Sequence, residues 1–125
     1  MLTQENFDTS LAEGLIMMTP YAADNADPKN VSFVEKYKAK SGGEAPNQFA
    51  ADAYDCVYAY KQALESAGAT PDMSAEALCE AMIAQFTSMT FDGLTGDGMT
   101  WAANGTVTKS PKGMVIQGGA YVGLD

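Results

Sequence analysis

The chain has 125 residues, enough for one domain or part of one, and its 46% hydrophobic content excludes long disorder. Sixteen acids against seven bases, with no histidine, give a net charge of −9. That balance excludes a nucleic-acid surface, which needs cations to neutralise phosphates, and docking on an anionic membrane.

No apolar run approaches the roughly 20 residues of a membrane span. The N-terminus Met1-Leu2-Thr3-Gln4-Glu5-Asn6 has neither a basic region nor an apolar core, so no leader is expected within this chain. Residues 2–13 are polar and mixed, with a short helical turn expected at 6–11. Gly14 opens the apolar run Leu15-Ile16-Met17-Met18-Thr19, closed by Pro20. Such a run between Gly and Pro predicts a buried strand suited to a parallel sheet covered on both faces. Residues 21–26 read as a loop. Asp27-Pro28 then marks a helix start, with Asp as N-cap and Pro at the first helical position. That helix is expected over 28–41, with Phe33, Val34 and Tyr37 inward and Glu35, Lys36, Lys38 and Lys40 outward; Ser41-Gly42-Gly43 ends it.

The longest helix is expected over 47–67. Asn47 can cap its start, and Gly68 can sit past its end in a left-handed conformation. Apolar side chains recur at Phe49, Ala53, Cys56/Val57, Tyr60, Ala63/Leu64 and Ala67 with a period near 3.6, which predicts a buried stripe. The small residues Ala50, Ala51, Ala53 and Ala59 let a neighbour approach closely. A third helix is expected over 74–87, capped by Ser74, with Leu78, Met82, Ile83 and Phe86 as its buried face. Met17, Met18, Met82 and Met114 fall on apolar stretches and read as core filler. Glycines punctuate the rest, a β-rich tail over 89–123. Its expected pieces are a short strand at 89–91, a hairpin turned at Asn104-Gly105 between 97–101 and 106–109, and strands at 113–117 and 120–122.

Little chemistry is visible. A nucleophilic triad lacks its histidine base. Cys56 and Cys79 fall on different helices at a spacing that fits no metal motif; they are either two buried free thiols or a disulfide between helices. Asp52 with Asp55, and Asp92 with Asp97, read as solvated helix and turn residues ahead of an acid/base pair or a cation site. Gly42-Gly43 and Gly118-Gly119 lack the Lys-Ser/Thr that follows a phosphate loop. The chain is therefore expected to bind rather than catalyse, with no cofactor and no metal. The order of strand, three helices and β-rich tail is odd for a self-contained α/β domain, because one parallel-type strand needs partners and crossover helices.

An ordered set of residues carries a resemblance. It comprises Glu13-Gly14-Leu15-Ile16, Thr19-Pro20-Tyr21, Phe33-Val34-Glu35-Lys36-Tyr37, Pro46, Ala53-Tyr54-Asp55, Ala63-Leu64-Glu65-Ser66-Ala67-Gly68, Phe91-Asp92-Gly93-Leu94-Thr95-Gly96 and Trp101-Ala102-Ala103-Asn104-Gly105. The set resembles the C-terminal third of type I periplasmic-binding proteins, nearest to the substrate-binding components of branched-chain amino acid and amide ABC transporters. No single motif is specific; the order and spacing are. The resemblance implies an α/β fold class: part of one lobe, with one parallel-type strand, three helices and a β-hairpin-rich tail, in a single partial domain over 1–125 whose crossover or hinge lies near 19–22. It implies that the parent protein is extracytoplasmic, in a periplasm or as a surface lipoprotein, binds an amino acid or amide, and delivers it to an ABC transporter permease by two-lobe closure. The cleft wall maps onto Asn47, Gln48 and Phe49, with Tyr21 at the hinge edge. The residues themselves leave Phe49 open between cleft wall and core. Tyr54 reads as a buried anchor and Asp55 as a surface or hinge hydrogen-bonding residue. Members run to roughly 350 residues, so this piece alone is not expected to bind solute. Its exposed apolar surfaces lead to an expected homo-oligomer, with exchanged elements as one form of it, and the competing reading is a non-catalytic, self-associating module.

Overall fold

The computed structural model describes residues 8–124. Residues 1–7, including the N-terminal stretch read for a leader and the start of the helical turn expected at 6–11, lie outside the described residues. The remainder of that turn is a 3-10 helix over Thr9–Ala12, capped by the Asp8 carboxylate, which accepts the Ser10 N–H at 3.0 Å and the Ser10 hydroxyl at 2.6 Å. The regular elements that follow are β1 (Ile16–Thr19), α1 (Pro28–Ser41), α2 (Gln48–Ser66), α3 (Ala75–Phe86), β2 (Lys112–Gln117) and β3 (Ala120–Gly123). They divide into two compact units. One runs up to Gln48 and resumes at Pro111; the other is Phe49–Ser110. No helix among the described residues is long and apolar enough to cross a membrane.

The first unit is a three-stranded sheet in the order β1-β2-β3, together with α1. Both ladders are antiparallel: Met17 pairs with Met114 and Ile116 with Tyr121. The parallel pairing expected for residues 15–19 is therefore corrected, since the partner of β1 is the late strand β2. Burial on both faces is corrected too. The pleat sends alternate side chains to opposite faces, and Ile16 and Met18 are 65% and 78% exposed while Met17 is half-buried. Met18 is thus not core filler. The unit's interior is supplied by Met114 and Ile116 of β2, the latter only 1% exposed. The tight β2–β3 turn requires positive φ at both central residues, which Gly118 (+60°) and Gly119 (+78°) supply.

Helix α1 starts where the Asp27 carboxylate accepts the Lys29 N–H at 2.7 Å. It stops at Gly42, left-handed at φ +76°, where the Gly43 N–H reaches the Lys38 carbonyl at 2.9 Å. Two residues anchor it. Phe33 meets the Tyr21 ring edge-on, with centroids 6.2 Å apart. Asn30, buried, donates its amide to the carbonyls of Ala22 (3.4 Å), Ala23 (3.1 Å) and Asn25 (2.7 Å), shaping the loop before the helix.

In the second unit, α2 buries a face that the 3.6-residue apolar pattern did not select. Ala51, Asp55, Ala59 and Ala63, spaced four apart, are its buried residues. The expected stripe is outward: Phe49, Ala53, Cys56, Val57, Tyr60 and Leu64 are all exposed, and only Ala63 is common to both. The reason is packing distance. Short alanines let the glycine-rich segment after α3 lie close to the helix, and Ala59 forms a core with Phe91 and Met99, flanked by Phe86, Met89 and Trp101. The Phe86 ring bridges Tyr60 (5.2 Å) and Trp101 (5.1 Å), both edge-on. Past the end of α2, Gly68 at φ +61° lets the Ala69 N–H reach the Leu64 carbonyl at 3.0 Å. Helix α3 is capped by the Ser74 hydroxyl, which accepts the Ala77 N–H at 3.1 Å. It buries Met82, whereas Ile83 is 52% exposed.

The segment expected as a strand at 89–91 is reduced to a single bridge, Phe91 to Met99, and the Asn104-Gly105 hairpin to another, Trp101 to Val107. The turn itself forms: the Asn104 side chain accepts the Thr106 N–H at 3.1 Å, and the Gly105 N–H donates to the Ala102 carbonyl at 2.8 Å. Cys56 and Cys79 are free and both exposed, which corrects the expectation of burial and removes the disulfide alternative.

Candidate functional site

Of the four residues mapped onto a ligand cleft, three belong to the first unit. Thr19, at the end of β1, gathers two of them. Its hydroxyl faces the Gln48 carboxamide oxygen at 3.3 Å and the Tyr21 carbonyl at 3.0 Å, and accepts the Tyr21 N–H at 3.3 Å. One hydroxyl proton serves one acceptor at a time, so Thr19 has two competing acceptors, in the crossover loop and in the first residue of α2. In the sequence Thr19 stands out only as a member of the resembling series; an isolated threonine at a strand end carries no signal of this role. Asn47, beside Gln48, is exposed.

Tyr21 is 5% exposed, and its hydroxyl is buried with no hydrogen-bond partner among the described residues. Burial, followed by the nearby Asp24 carboxylate, pushes the phenol up to about 12. The ring is held by Phe33, so the side chain is a packed group of the first unit rather than a surface one.

Phe49 opens the second unit and is 76% exposed. Core packing within this chain is thereby ruled out for it. An exposed aromatic in the first turn of a 19-residue helix stands beside a partly positive helix end, an arrangement suited to an apolar group next to a carboxylate. Tyr54, expected as a buried anchor, is only half-buried and lies against the Tyr58 ring at a tilt of 37°, with centroids 4.6 Å apart. A hydrogen bond with Tyr58, then burial, pushes the Tyr54 phenol up to about 12.

The carboxylates of α2 are engaged. Asp55, 6% exposed, accepts the N–H groups of Leu94 and Thr95, each at 2.8 Å, and the Thr95 hydroxyl at 2.7 Å. Gly93 is required beside it, because a Cβ there would collide with the Asp55 carboxyl group. The Lys109 ammonium donates to the Thr95 hydroxyl at 2.7 Å and to Asp52 at 2.8 Å. Asp55, expected as a surface or hinge hydrogen-bonding residue, is a hydrogen-bonding residue but a buried one, which corrects the surface placement. Its signal was present in the sequence as an aspartate at four-residue spacing within a stripe of alanines. Asp92 likewise serves a turn, accepting the Gly98 N–H at 2.7 Å. Among the described residues no group of three or more Cys, Asp or Glu is placed to hold a metal ion.

The second unit also carries a half-open apolar groove of about 460 Å³, walled by Cys56, Tyr60, Cys79, Met82, Phe86 and Trp101 among others. None of the four mapped cleft residues lines it.

A family model described as periplasmic binding protein matches residues 6–120. No curated protein sequence matches the chain. Among solved structures, a leucine binding protein of Thermotoga maritima is similar at 27% identity and a TM-score of 0.67, over 91% of this chain and 31% of that one. A branched chain amino acid ABC transporter periplasmic ligand-binding protein of Burkholderia xenovorans superposes with a TM-score of 0.78 at 15% identity, over 94% of this chain and 31% of that one. A solute binding protein of an ABC transporter from Rhodopseudomonas palustris, in complex with benzoate, does so with a TM-score of 0.70 at 18% identity, over 90% and 29%. The last two share the fold. The chain spans less than a third of the length of these solved relatives. With 6–120 matched, it belongs to the periplasmic binding protein family and carries part of the type I fold.

Proposed function

We propose that the chain is part of an extracytoplasmic solute-binding protein that hands small amino acids of the branched-chain class, or related amides, to the permease of an ABC importer, and that it is not an enzyme. The observation that carries this reading is the likeness to a leucine binding protein, 27% identical over 91% of the chain. In this reading the ligand is enclosed when two lobes close on it, and this chain supplies one wall: Phe49 against the apolar part, Gln48 and Asn47 at the helix start, and Tyr21 at the hinge edge. The exposure of Phe49 supports its place on that wall.

Titration calorimetry on the full-length parent protein, with a panel of amino acids, their amides and benzoate, tests the ligand class. Saturable heat with leucine, isoleucine or valine is expected; heat with benzoate alone overturns the amino-acid assignment. Phe49→Ala in that protein is expected to weaken binding by about 1–3 kcal/mol with little change in stability. The isolated chain is expected to give no heat, because most of the cleft lies in the remainder of such proteins.

A second reading, self-association of the isolated chain, is favoured by one feature: an edge strand exposing Ile16 and Met18 at 65% and 78%. Light scattering at micromolar concentration decides it, and a monomer overturns it.

A further inference from the structure

Lys109 and Asp52 lie close to the two points where the chain enters and leaves the second unit. That unit begins at Phe49 and ends at Ser110. Asp52 is one helical turn inside its first residue, and Lys109 is the residue before its last. The ammonium of Lys109 bonds the Asp52 carboxylate at 2.8 Å and the Thr95 hydroxyl at 2.7 Å, and Thr95 passes the connection to Asp55 at 2.7 Å. Three separate segments are therefore joined in one hydrogen-bonded series: the leading turns of α2, the turn around residue 95, and the exit segment.

Burial distinguishes this series from an ordinary surface pair. The side chains of Lys109 and Asp52 are 26% and 31% exposed, Thr95 is fully buried and Asp55 nearly so. Taking charges out of water is costly unless their geometry is fixed and their remaining bonds are satisfied. An apolar pair of similar volume would hold the same surfaces together without that cost, so the ionic series is better explained by what it specifies than by net stability. What it specifies is position. The first turn of any helix lacks intrahelical acceptors for its N–H groups and frays. Here that turn carries Phe49, and the exit segment leads directly to Pro111.

We propose that Asp52 and Lys109, backed by Thr95 and Asp55, are positioning residues that form a clasp. It holds the first turn of α2 and the exit segment of the second unit as one rigid edge, so that Phe49 and the outgoing chain keep a fixed relation within that unit. The clasp goes beyond the ligand reading and stands without it.

Amide hydrogen exchange on the full chain tests it. The amides of Asp52, Ala53 and Tyr54 report the first turn of α2, since the helix pairs them with the carbonyls of residues 48 to 50. The Thr108 amide, bonded to the Thr100 carbonyl at 3.0 Å, reports the exit segment. The Ala67 amide, bonded to Ala63 at 2.9 Å at the far end of α2, is the control. In Lys109→Met both reporters are expected to exchange at least tenfold faster while the Ala67 amide is unchanged. Asp52→Asn is expected to give the same pattern, and the double variant to be no faster than either single one. A rise shared equally by the Ala67 amide, or confined to one of the two reporters, overturns the clasp and leaves a stabilising contact only. If Lys109→Met fails to fold, Asp52→Asn decides alone, and full protection of both reporters in it overturns the proposal.

Discussion

The two units of this chain reach order by different means. In the first, the backbone does most of the work: two antiparallel ladders set the register, a left-handed glycine ends α1, and the side-chain core is small, with Met114, Ile116, Phe33 and Tyr21 inside. Two buried polar atoms there, the Tyr21 hydroxyl and the Asn30 carboxamide oxygen, have no hydrogen-bond partner among the described residues. In the second unit the segment after α3 forms no continuous ladder, only two isolated bridges and a few turn bonds such as that of the Gly93 N–H to the Gly96 carbonyl at 2.8 Å. A buried carboxylate holds it instead: Asp55 organises the turn around Thr95, and Phe91 and Met99 close over Ala59. A ladder distributes its stabilisation over many equivalent bonds, whereas a single carboxylate concentrates it. The second unit should therefore be far more sensitive to one substitution than the first.

Asp55→Ala is the largest test of that contrast. It leaves two buried N–H groups and a buried hydroxyl without their acceptor and strips the network that Lys109 completes, so a loss of about 3–5 kcal/mol is expected. Urea unfolding measures it. Since a folded domain has only about 5–15 kcal/mol in hand, a loss under 1 kcal/mol would mean that the segment is held mainly by its apolar contacts. The corresponding test of the first unit is Ile116→Ala, which removes a side chain only 1% exposed but leaves both ladders intact. A loss of about 2–4 kcal/mol is expected from the lost burial and the cavity left behind. A loss exceeding that of Asp55→Ala would reverse the contrast.

Legibility in the sequence followed the same division. Helix ends were readable wherever one residue type suits the local backbone geometry. Asp27-Pro28, Gly42, Gly68 and Ser74 each stand at the boundary their chemistry indicates. The inward face of α2 was not readable from apolar periodicity. That periodicity selects the face with more hydrophobic atoms, and the chain buries the face with smaller ones. The pairing of β1 was misread for a related reason: a continuous apolar run looks the same whether it is buried on both faces or carries one apolar face outward, as Ile16 and Met18 do. Of the candidate site, the helix start and Phe49 were visible as residue types. The contacts that organise their surroundings, through Thr19, Thr95 and Lys109, join positions 29, 40 and 57 residues apart and leave no local pattern.

Tyr21→Phe probes the first unit where it is least satisfied. Removing a buried hydroxyl that has no hydrogen-bond partner among the described residues is expected to raise stability by about 1 kcal/mol. A loss instead would show that the hydroxyl is bonded to a solvent molecule held in the interior. The same variant has a signature at alkaline pH. The Tyr21 phenol stands at about 12 in the folded chain against 10.0 when exposed, so the folded state holds its proton more tightly. Stability is unaffected below pH 10 and falls as the pH rises from there towards 12, because the unfolded chain releases its proton first. The fall should be shallower in Tyr21→Phe, the remainder coming from Tyr54, whose phenol is raised to a similar value. Thermal melts between pH 9 and 12 at matched ionic strength would show it, and an unchanged slope would place the Tyr21 ring in contact with water.

The smallest effect is expected at Lys61, and it sharpens the contrast because the same chemistry is used there in another setting. Lys61 and Glu65 sit one helical turn apart on α2 with nitrogen and oxygen 2.8 Å apart, a distance no longer than that of Lys109 to Asp52. Their side chains are 60% and 65% exposed, however, against 26% and 31% for the other pair. In water the Coulomb gain is screened, and two flexible side chains lose entropy when held together. Lys61→Ala should therefore cost no more than about 0.5 kcal/mol, and even that should vanish in about 1 M salt, where the screening length falls to about 3 Å. The faster amide exchange expected in Lys109→Met, measured in the same salt series, should persist, because Lys109 and its partners are less exposed to the solvent ions. Equal salt sensitivity in the two variants would show that distance, and not burial, sets the worth of an ion pair in this chain.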